Sequence, residues 1–278
     1  MDMVSDAAGG AIGEDETFHP FATIEGNPAQ GIIFLCDHAE NRLPPAYGTL
    51  GLPPGEFRRH IAYDPGARAV THGLAQRLGS PAVLTTFSRL LIDPNRGDDD
   101  PTLIMRISDG AVIPGNHRVD AAERARRLAL YHAPYHAEVD RVIERSLAVG
   151  TVPILVSVHS FTPVWRGRGR PWQIGILWDA DPRVAKPMVE ALAADPDLVV
   201  GDNEPYSGAL IRDSMYRHGT RRGLAHGLIE LRQDLISDDR GAEEWADRLA
   251  PVLAALNTEP DLHVIRHYGS RSGAVDPI

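Results

Sequence analysis

VPILVSVHSFTP (152–163) decides the fold, and GIIFLCDHAEN (31–41) repeats its logic. Each is an apolar, β-branched run too short for a helix, and each runs without a break into a histidine among polar residues. Continuous apolar runs of this length suit strands buried on both faces of a sheet. AVLTTF (82–87), LLI (90–92), QIGILW (173–178), LVV (198–200) and GLIELR (227–232) read as further strands, and DLHVIRH (261–267) as one more. Helical patterns cover about 65–78, 120–148, 182–194 and 241–257. Strands alternating with helices predict an α/β domain of three layers, a mixed and mostly parallel sheet with helices on both faces. In such sheets the chemistry gathers beyond the carboxyl ends of the strands. That rule points to DHAEN, SRLLIDPNR, HSFTP and ELRQD.

The 278 residues fit one large domain, and 43% hydrophobic residues are ample for a core. The predicted layout is a flexible tail over 1–16, a single α/β domain over 17–268 and a loose end over 269–278. A net charge of −10 disfavours nucleic acid and anionic membranes as partners, but leaves room for a small anionic substrate held by local arginines. One cysteine, Cys36, allows no internal disulfide and suits a reducing compartment. With no basic, apolar leader and no run long enough to span a bilayer, the expected location is the cytoplasm.

His38 and His159 each follow a buried strand. Imidazole is the commonest metal ligand, and catalytic zinc takes about three protein ligands and a water. Either histidine alone is as compatible with a hydrogen-bonded structural role. Two strand ends of one sheet can converge, which makes the pair a candidate metal site. The third ligand stays open between Glu40, in the same loop as His38, and Asp64, at an apparent helix start where N-capping is the ordinary role. Asn41 is a poor donor for zinc. Asp37 is placed to orient His38.

Glu230 lies in the apolar run LIELR, where a carboxylate is costly unless paired or functional. Arg232, two residues on, shares its face, so an ion pair is one reading and a general base the other. Arg89, Asn95 and Arg96 flank the LLIDP segment. Arginine binds carboxylates in bidentate fashion and asparagine adds a directional donor, which makes these three, with Arg232, the candidate contacts of an anionic substrate. His132 and His136 share a helix face but lack the glutamate of a zinc-protease motif, so packing beside Tyr131 and Tyr135 is the expected role. RGRGRPW (166–172) reads as a lid or surface loop, DNEPYSG (202–208) as a loop able to reach the pocket, and Cys36 as core.

Taken in order, CDHAENRLP, HIAYDPGA, SRLLIDPNR, SVHSFTP, QIGILW, DNEPYSG and LIELRQDLI resemble the N-formylglutamate amidohydrolase family, from about residue 20 to about 260. That family is similar in fold to the zinc carboxypeptidases and aspartoacylase. The resemblance implies a zinc-exopeptidase-like fold, with His38 and His159 as metal ligands, Asn95 and Arg96 with Arg89 as substrate-carboxylate contacts, and Glu230 as general base. The carboxypeptidase pattern places glutamate three residues after the first histidine. Here that position is Asn41, and Glu40 comes one residue early. The expected activity is zinc-dependent hydrolysis of an N-acyl, above all N-formyl, amide of an acidic amino acid. A carboxypeptidase or γ-glutamyl-type amidase is the alternative on the same site, and a non-catalytic module binding carboxylated metabolites the alternative of another class.

Overall fold

The two quoted runs form the centre of the sheet. In the computed structural model, which describes residues 18–276, they are β2 (Ile32–Cys36) and β4 (Ile154–Phe161). They pair in parallel, Ile32 opposite Ile154 and Leu35 opposite Ser157. Every residue of both strands is buried, as the unbroken apolar runs require. Around them stand β1 (Phe21–Ile24), β3 (Ala82–Thr85), β5 (Ile174–Leu177), β6 (Val200–Asp202) and β7 (His226–Arg232). The lateral order is β1-β3-β2-β4-β7-β5-β6. Strands β3, β2, β4 and β7 are mutually parallel, while β1 is antiparallel to β3, and β5 to β7. The sheet is therefore mixed, with its parallel part in the middle.

Alternation along each strand builds two cores. Ile32, Phe34, Cys36, Val156 and Val158 face α1 (Ala67–Leu78), α4 (Ala185–Ala193) and α5 (Asp239–Leu256). Ile33, Leu35, Leu155 and Leu228 face α3 (Ala133–Ala148) with Tyr135, Val139 and Ile143. Helices thus cover both faces, as expected. Burying one such aliphatic side chain contributes roughly 1.5–3 kcal/mol, and the layers hold dozens of them. Among the described residues no helix is long and apolar enough to cross a membrane.

Several expected elements differ. Residues 90–92 are buried but lie in turns, so their apolar character reflects burial alone. The helix expected over 120–148 is α2 (Ala121–Arg127), a π-helical turn at Leu128–His132, then α3. Residues 261–267 do not form a strand. Pro260–His263 is a short 3-10 turn, and the carbonyls of Asp261 within it and Val264 just after it accept from the buried guanidinium of Arg183. The end expected to be loose is tied down as far as it is described. The Arg271 amide donates to Asp179 at 2.8 Å, and Arg212 pairs with Asp276 at 2.8 Å. The expected 1–16 tail lies outside the described residues.

Candidate active site

Period-2 alternation and the strand order assemble the site on the α3 side of the sheet. Asp37 follows Leu35 on that face, His159 follows Ser157, and Glu230 follows Leu228. Because β4 and β7 are adjacent and parallel, Glu230 sits directly beside His159 in register. Asp64 arrives from the loop before α1, its amide bonded to the His38 carbonyl at 2.9 Å. It does not cap α1. Gly66 occupies that position, with a φ of +83° and no room for a Cβ against the Ile236 carbonyl. The Asp64 side chain is left for the site.

Three donors converge. Nδ1 of His159 lies 2.9 Å and Nδ1 of His38 3.3 Å from the same oxygen, Oδ2 of Asp64. His38, Asp64 and His159 form a buried group that could hold a metal ion. Their outward nitrogens are each fixed by another carboxylate. Asp93 Oδ1 lies 2.7 Å from Nε2 of His38, and Asp37 Oδ2 lies 3.0 Å from Nε2 of His159. A carboxylate behind each imidazole, fixing its tautomer and ring, is the usual support of a histidine metal ligand. Asp37 is held in turn by the hydroxyls of Tyr135, Ser157 and Ser214. Asp93 also accepts from Arg89 at 2.6 Å.

Burial alone would raise the carboxyls and lower the imidazoles, but here the pairing wins. Burial raises Asp37, yet the His159 hydrogen bond and the histidine charges outweigh it and bring the carboxyl down to about 2. Asp64 is likewise held well below the usual carboxylate range, because both histidines overcome its burial. His159 is pushed the other way, above its ordinary value, since hydrogen bonds to Asp37 and Asp64 outweigh the desolvation of its charged form. Three buried carboxylates, Asp37, Asp64 and Asp93, around two imidazoles make a strongly cation-seeking centre.

Glu230 is different. Burial raises its carboxyl to about 8, and Oε2 is buried with no hydrogen-bond partner among the described residues. An orphaned buried carboxylate oxygen is expensive. Facing a set of nitrogen and oxygen donors, it fits a centre completed by a cation and water. The donor set, two imidazoles and a carboxylate with a second carboxylate as neighbour, is of the kind catalytic zinc takes.

These groups line one cavity of about 300 Å³, at the small end of ligand pockets. Asn95, Arg96 and Arg89 line it too. Asn95 Oδ1 accepts from the Ser214 amide at 3.1 Å, which leaves its amide nitrogen as the group available to a ligand. The 202–208 loop closes one side with Tyr206, Ser207 and Gly208. It passes so close to the sheet that any Cβ on Gly175, the residue opposite Glu230, would run into the Glu204 carbonyl. The 166–172 stretch is a surface hairpin, Val164–Trp165 against Arg168–Gly169, from which Arg170 stacks on Phe161 and Tyr206 at the cavity edge.

Two candidates stand apart. Glu40 turns to Arg68 on α1 and is not part of the group that could hold a metal ion. Arg232 pairs with Asp234 at 2.8 Å rather than with Glu230, and does not line the cavity. Asp37 reaches His159 and not His38, because β2 and β4 are neighbours and its side chain projects across the pair. Asp93 and Asp213 are the polar groups that sequence reasoning misses. Asp93 carries a signal, a carboxylate inside LLIDP. Asp213 lines the cavity with its carboxyl raised to about 7 by burial, and nothing in its polar surroundings in the sequence marks it. Burial pushes the Cys36 thiol up, in keeping with a core cysteine.

The fold and site define a hydrolase acting on amides, and the comparisons give its family. The family model for N-formylglutamate amidohydrolase matches residues 30–237, and the chain belongs to that family. It is similar to a gene product of Agrobacterium tumefaciens of known crystal structure, at 34% identity and a TM-score of 0.81, over 87% of this chain and 96% of that one. It shares its fold with the N-formylglutamate amidohydrolase of Ralstonia eutropha JMP134, at 22% identity and a TM-score of 0.63, over 86% and 95% of the two chains. Among curated proteins none matches the sequence.

Proposed function

We propose that this chain hydrolyses the N-formyl amide of an acidic amino acid such as N-formylglutamate, with zinc held by His38, Asp64 and His159. The observation that carries the reading is the partnerless Oε2 of Glu230, buried in the same cavity as that donor set. Bound there, a zinc ion supplies a water of lowered pKa and a Lewis acid for the acyl oxygen. Glu230, beside His159, takes the proton of the attacking water and returns it to the amide nitrogen as the carbon–nitrogen bond breaks. The products are formate and the free amino acid, so no other reactant is needed.

Asp37 and Asp93 keep the two imidazoles in one tautomer and orientation throughout. Arg96 and the free amide of Asn95 take the substrate carboxylate in a forked, charge-assisted contact. Arg89 is already engaged by Asp93, so its first role is to hold that carboxylate, and it adds positive charge to the cavity wall. The single buried cysteine suits a cytoplasmic setting.

The test is an assay of metal-replete protein on N-formyl-L-glutamate beside a neutral formamide, a γ-glutamyl amide and short peptides. Preference for the formylated acidic amino acid, lost on chelation and restored by zinc, is the expected result. Faster turnover of peptides or γ-glutamyl amides would make it a peptidase or amidase, and stoichiometric binding without turnover a carboxylate-binding module.

A further inference from the structure

Behind the anion-binding pair, three consecutive carbonyls are each held by a side chain. The Pro94 carbonyl lies 3.0 Å from Nε2 of His136. The Asn95 carbonyl accepts from the Arg96 guanidinium at 2.7 Å. The Arg96 carbonyl lies 3.0 Å from Nε2 of His132. His132 ends the π-helical turn and His136 sits one turn later in α3, their ring centres 4.4 Å apart. Neither lines the cavity, so both act on it only through the backbone of residues 94–96.

His136 is the start of a chain. Its Nδ1 meets Nε2 of His218 at 2.9 Å, and Nδ1 of His218 meets Oδ1 of Asp140 at 3.0 Å. The imidazoles are buried, whereas the Asp140 side chain is 45% exposed and also takes Arg222 at 2.9 Å. A carbonyl and a carboxylate can only accept. Three links between them need three N–H groups, and two neutral imidazoles own two. If His136 donates to Pro94, its Nδ1 must accept from His218. Nδ1 of His218 then bears no hydrogen toward Asp140 unless His218 is an imidazolium. With one proton too few, two lone pairs face each other at one of the three links.

The surroundings say where that proton sits. His132, Tyr135 and Arg217 face His136, and Arg217, Arg222 and Asp140 face His218. Asp93 and Asp98 act on His132. Burial holds both chain histidines below their ordinary value, His136 well below it, and only His218 has a carboxylate in contact to limit the fall. The extra proton belongs at the His218–Asp140 end.

We propose that His136 is a positioning residue for the Asn95–Arg96 pair, and that its hold on the Pro94 carbonyl depends on one proton kept between His218 and Asp140. The inference rests on reading Asn95 and Arg96 as the substrate anchor. Below the His218 transition the chain is complete. Above it one link fails, the 94–96 backbone loosens, and KM rises with pH by a route that does not pass through Glu230 or the metal ligands.

The experiment measures kcat and KM of the metal-replete enzyme on N-formyl-L-glutamate across the pH range in which histidine titrates. His136→Ala should raise KM about tenfold, the loss of one hydrogen bond, with kcat little changed, and His136→Gln should recover part of it. Asp140→Asn is the sharper variant. Its amide donates to a neutral His218 and completes the chain without the extra proton, so the KM profile should flatten. Asp140→Ala removes the third acceptor, so two N–H groups serve the two remaining links and the profile should flatten there too, whereas Arg222→Gln removes a charge that lowers His218 and should move the profile to higher pH without flattening it. An unchanged KM in His136→Ala, or a wild-type profile in Asp140→Asn, overturns the proposal. Absence of wild-type turnover on N-formyl-L-glutamate would instead sink the functional reading. The proton chain is then judged by imidazole ¹⁵N signals, which, below the lowered transition of His218, should show it cationic in the wild type and neutral in Asp140→Asn at the same pH.

Discussion

Glu230 and His159 are lateral neighbours on two parallel strands, so the buried carboxylate whose Oε2 has no partner among the described residues and an imidazole of the candidate metal site are fixed relative to each other by the sheet itself. A base on a strand, rather than on a loop, needs no ordering step before it can take a proton. Replacing it by an isosteric amide should remove the proton transfer and leave the donor set alone. Glu230→Gln is expected to keep its full metal content by elemental analysis and to lose about 10²–10⁴ in kcat. Turnover near the wild-type rate would end the assignment of Glu230 as base.

The same carboxyl predicts a pH dependence of stability in the metal-free protein. In the folded state it titrates at about 8, against an ordinary 4.5, because it is buried. Below 4.5 both states hold the proton and there is no effect. Between the two values the unfolded chain gives up a proton that the folded one keeps, so stability falls as pH rises, by on the order of a few kcal/mol in all. His159, raised in the folded state, acts in the same direction: its contribution is present at low pH and is lost as pH rises through its folded value. Glu230→Gln isolates the first effect. Denaturant unfolding of metal-free protein should find the variant more stable than wild type at about pH 9 and equal to it near pH 4. An advantage that did not change with pH would mean the carboxyl is not raised.

How much of this is legible in the sequence depends on what each feature needs. An apolar run ending in histidine is local, and β2, β4 and the two histidines can be read directly. Glu230 and Asp93 are both carboxylates inside apolar runs, though only the first stands out as functional. Partners across strands are not local. Asp37 is next to His38 in sequence but serves His159, because that choice is made by β2 lying beside β4. The choice between Glu40 and Asp64 turns on the path of the chain through Pro65 and Gly66. Residues 90–92 mislead because burial in turns and burial in a strand leave the same apolar trace. Phe21–Ile24 escapes notice as a short edge strand with little apolar pattern.

The third ligand can be separated by variants. Asp64 Oδ2 lies against Nδ1 of both histidines, while Glu40 faces Arg68 on α1. Asp64→Ala should lower bound metal to a small fraction after dialysis, as His38→Ala and His159→Ala should. Glu40→Ala should hold metal in full stoichiometry. The reverse outcome would return the metal site to the His38 loop.

Asp93 should matter without touching the ion. It fixes Nε2 of His38 and is itself clamped by Arg89. Removing such a supporting carboxylate typically lowers metal affinity about 10–100-fold. Asp93→Asn is expected to fall in that range by competition with a chelator, with the fold intact by circular dichroism. An affinity equal to wild type would mean that His38 is oriented by Asp64 alone.

Arg96 and Arg232 offer the last contrast, since both are arginines that follow a buried carboxylate by two or three residues. Arg96 lines the cavity, and among the described residues its guanidinium is tied only to the neutral groups Thr102 Oγ1 and the Asn95 carbonyl. Its charge is therefore uncompensated by any carboxylate contact among them and available to an anion. Arg232 is neutralised by Asp234 and spends its remaining donors on the carbonyls of Arg170 and Trp172. Arg96→Ala should raise KM for N-formyl-L-glutamate by about 10–100-fold, the loss of a charge-assisted hydrogen bond of about 1.5–3 kcal/mol. It should leave a neutral formamide nearly unaffected. Arg232→Ala should leave KM for both within about twofold, because a partly exposed pair contributes little. Equal losses on the charged and neutral substrates in Arg96→Ala would show that the residue shapes the cavity rather than binding the carboxylate.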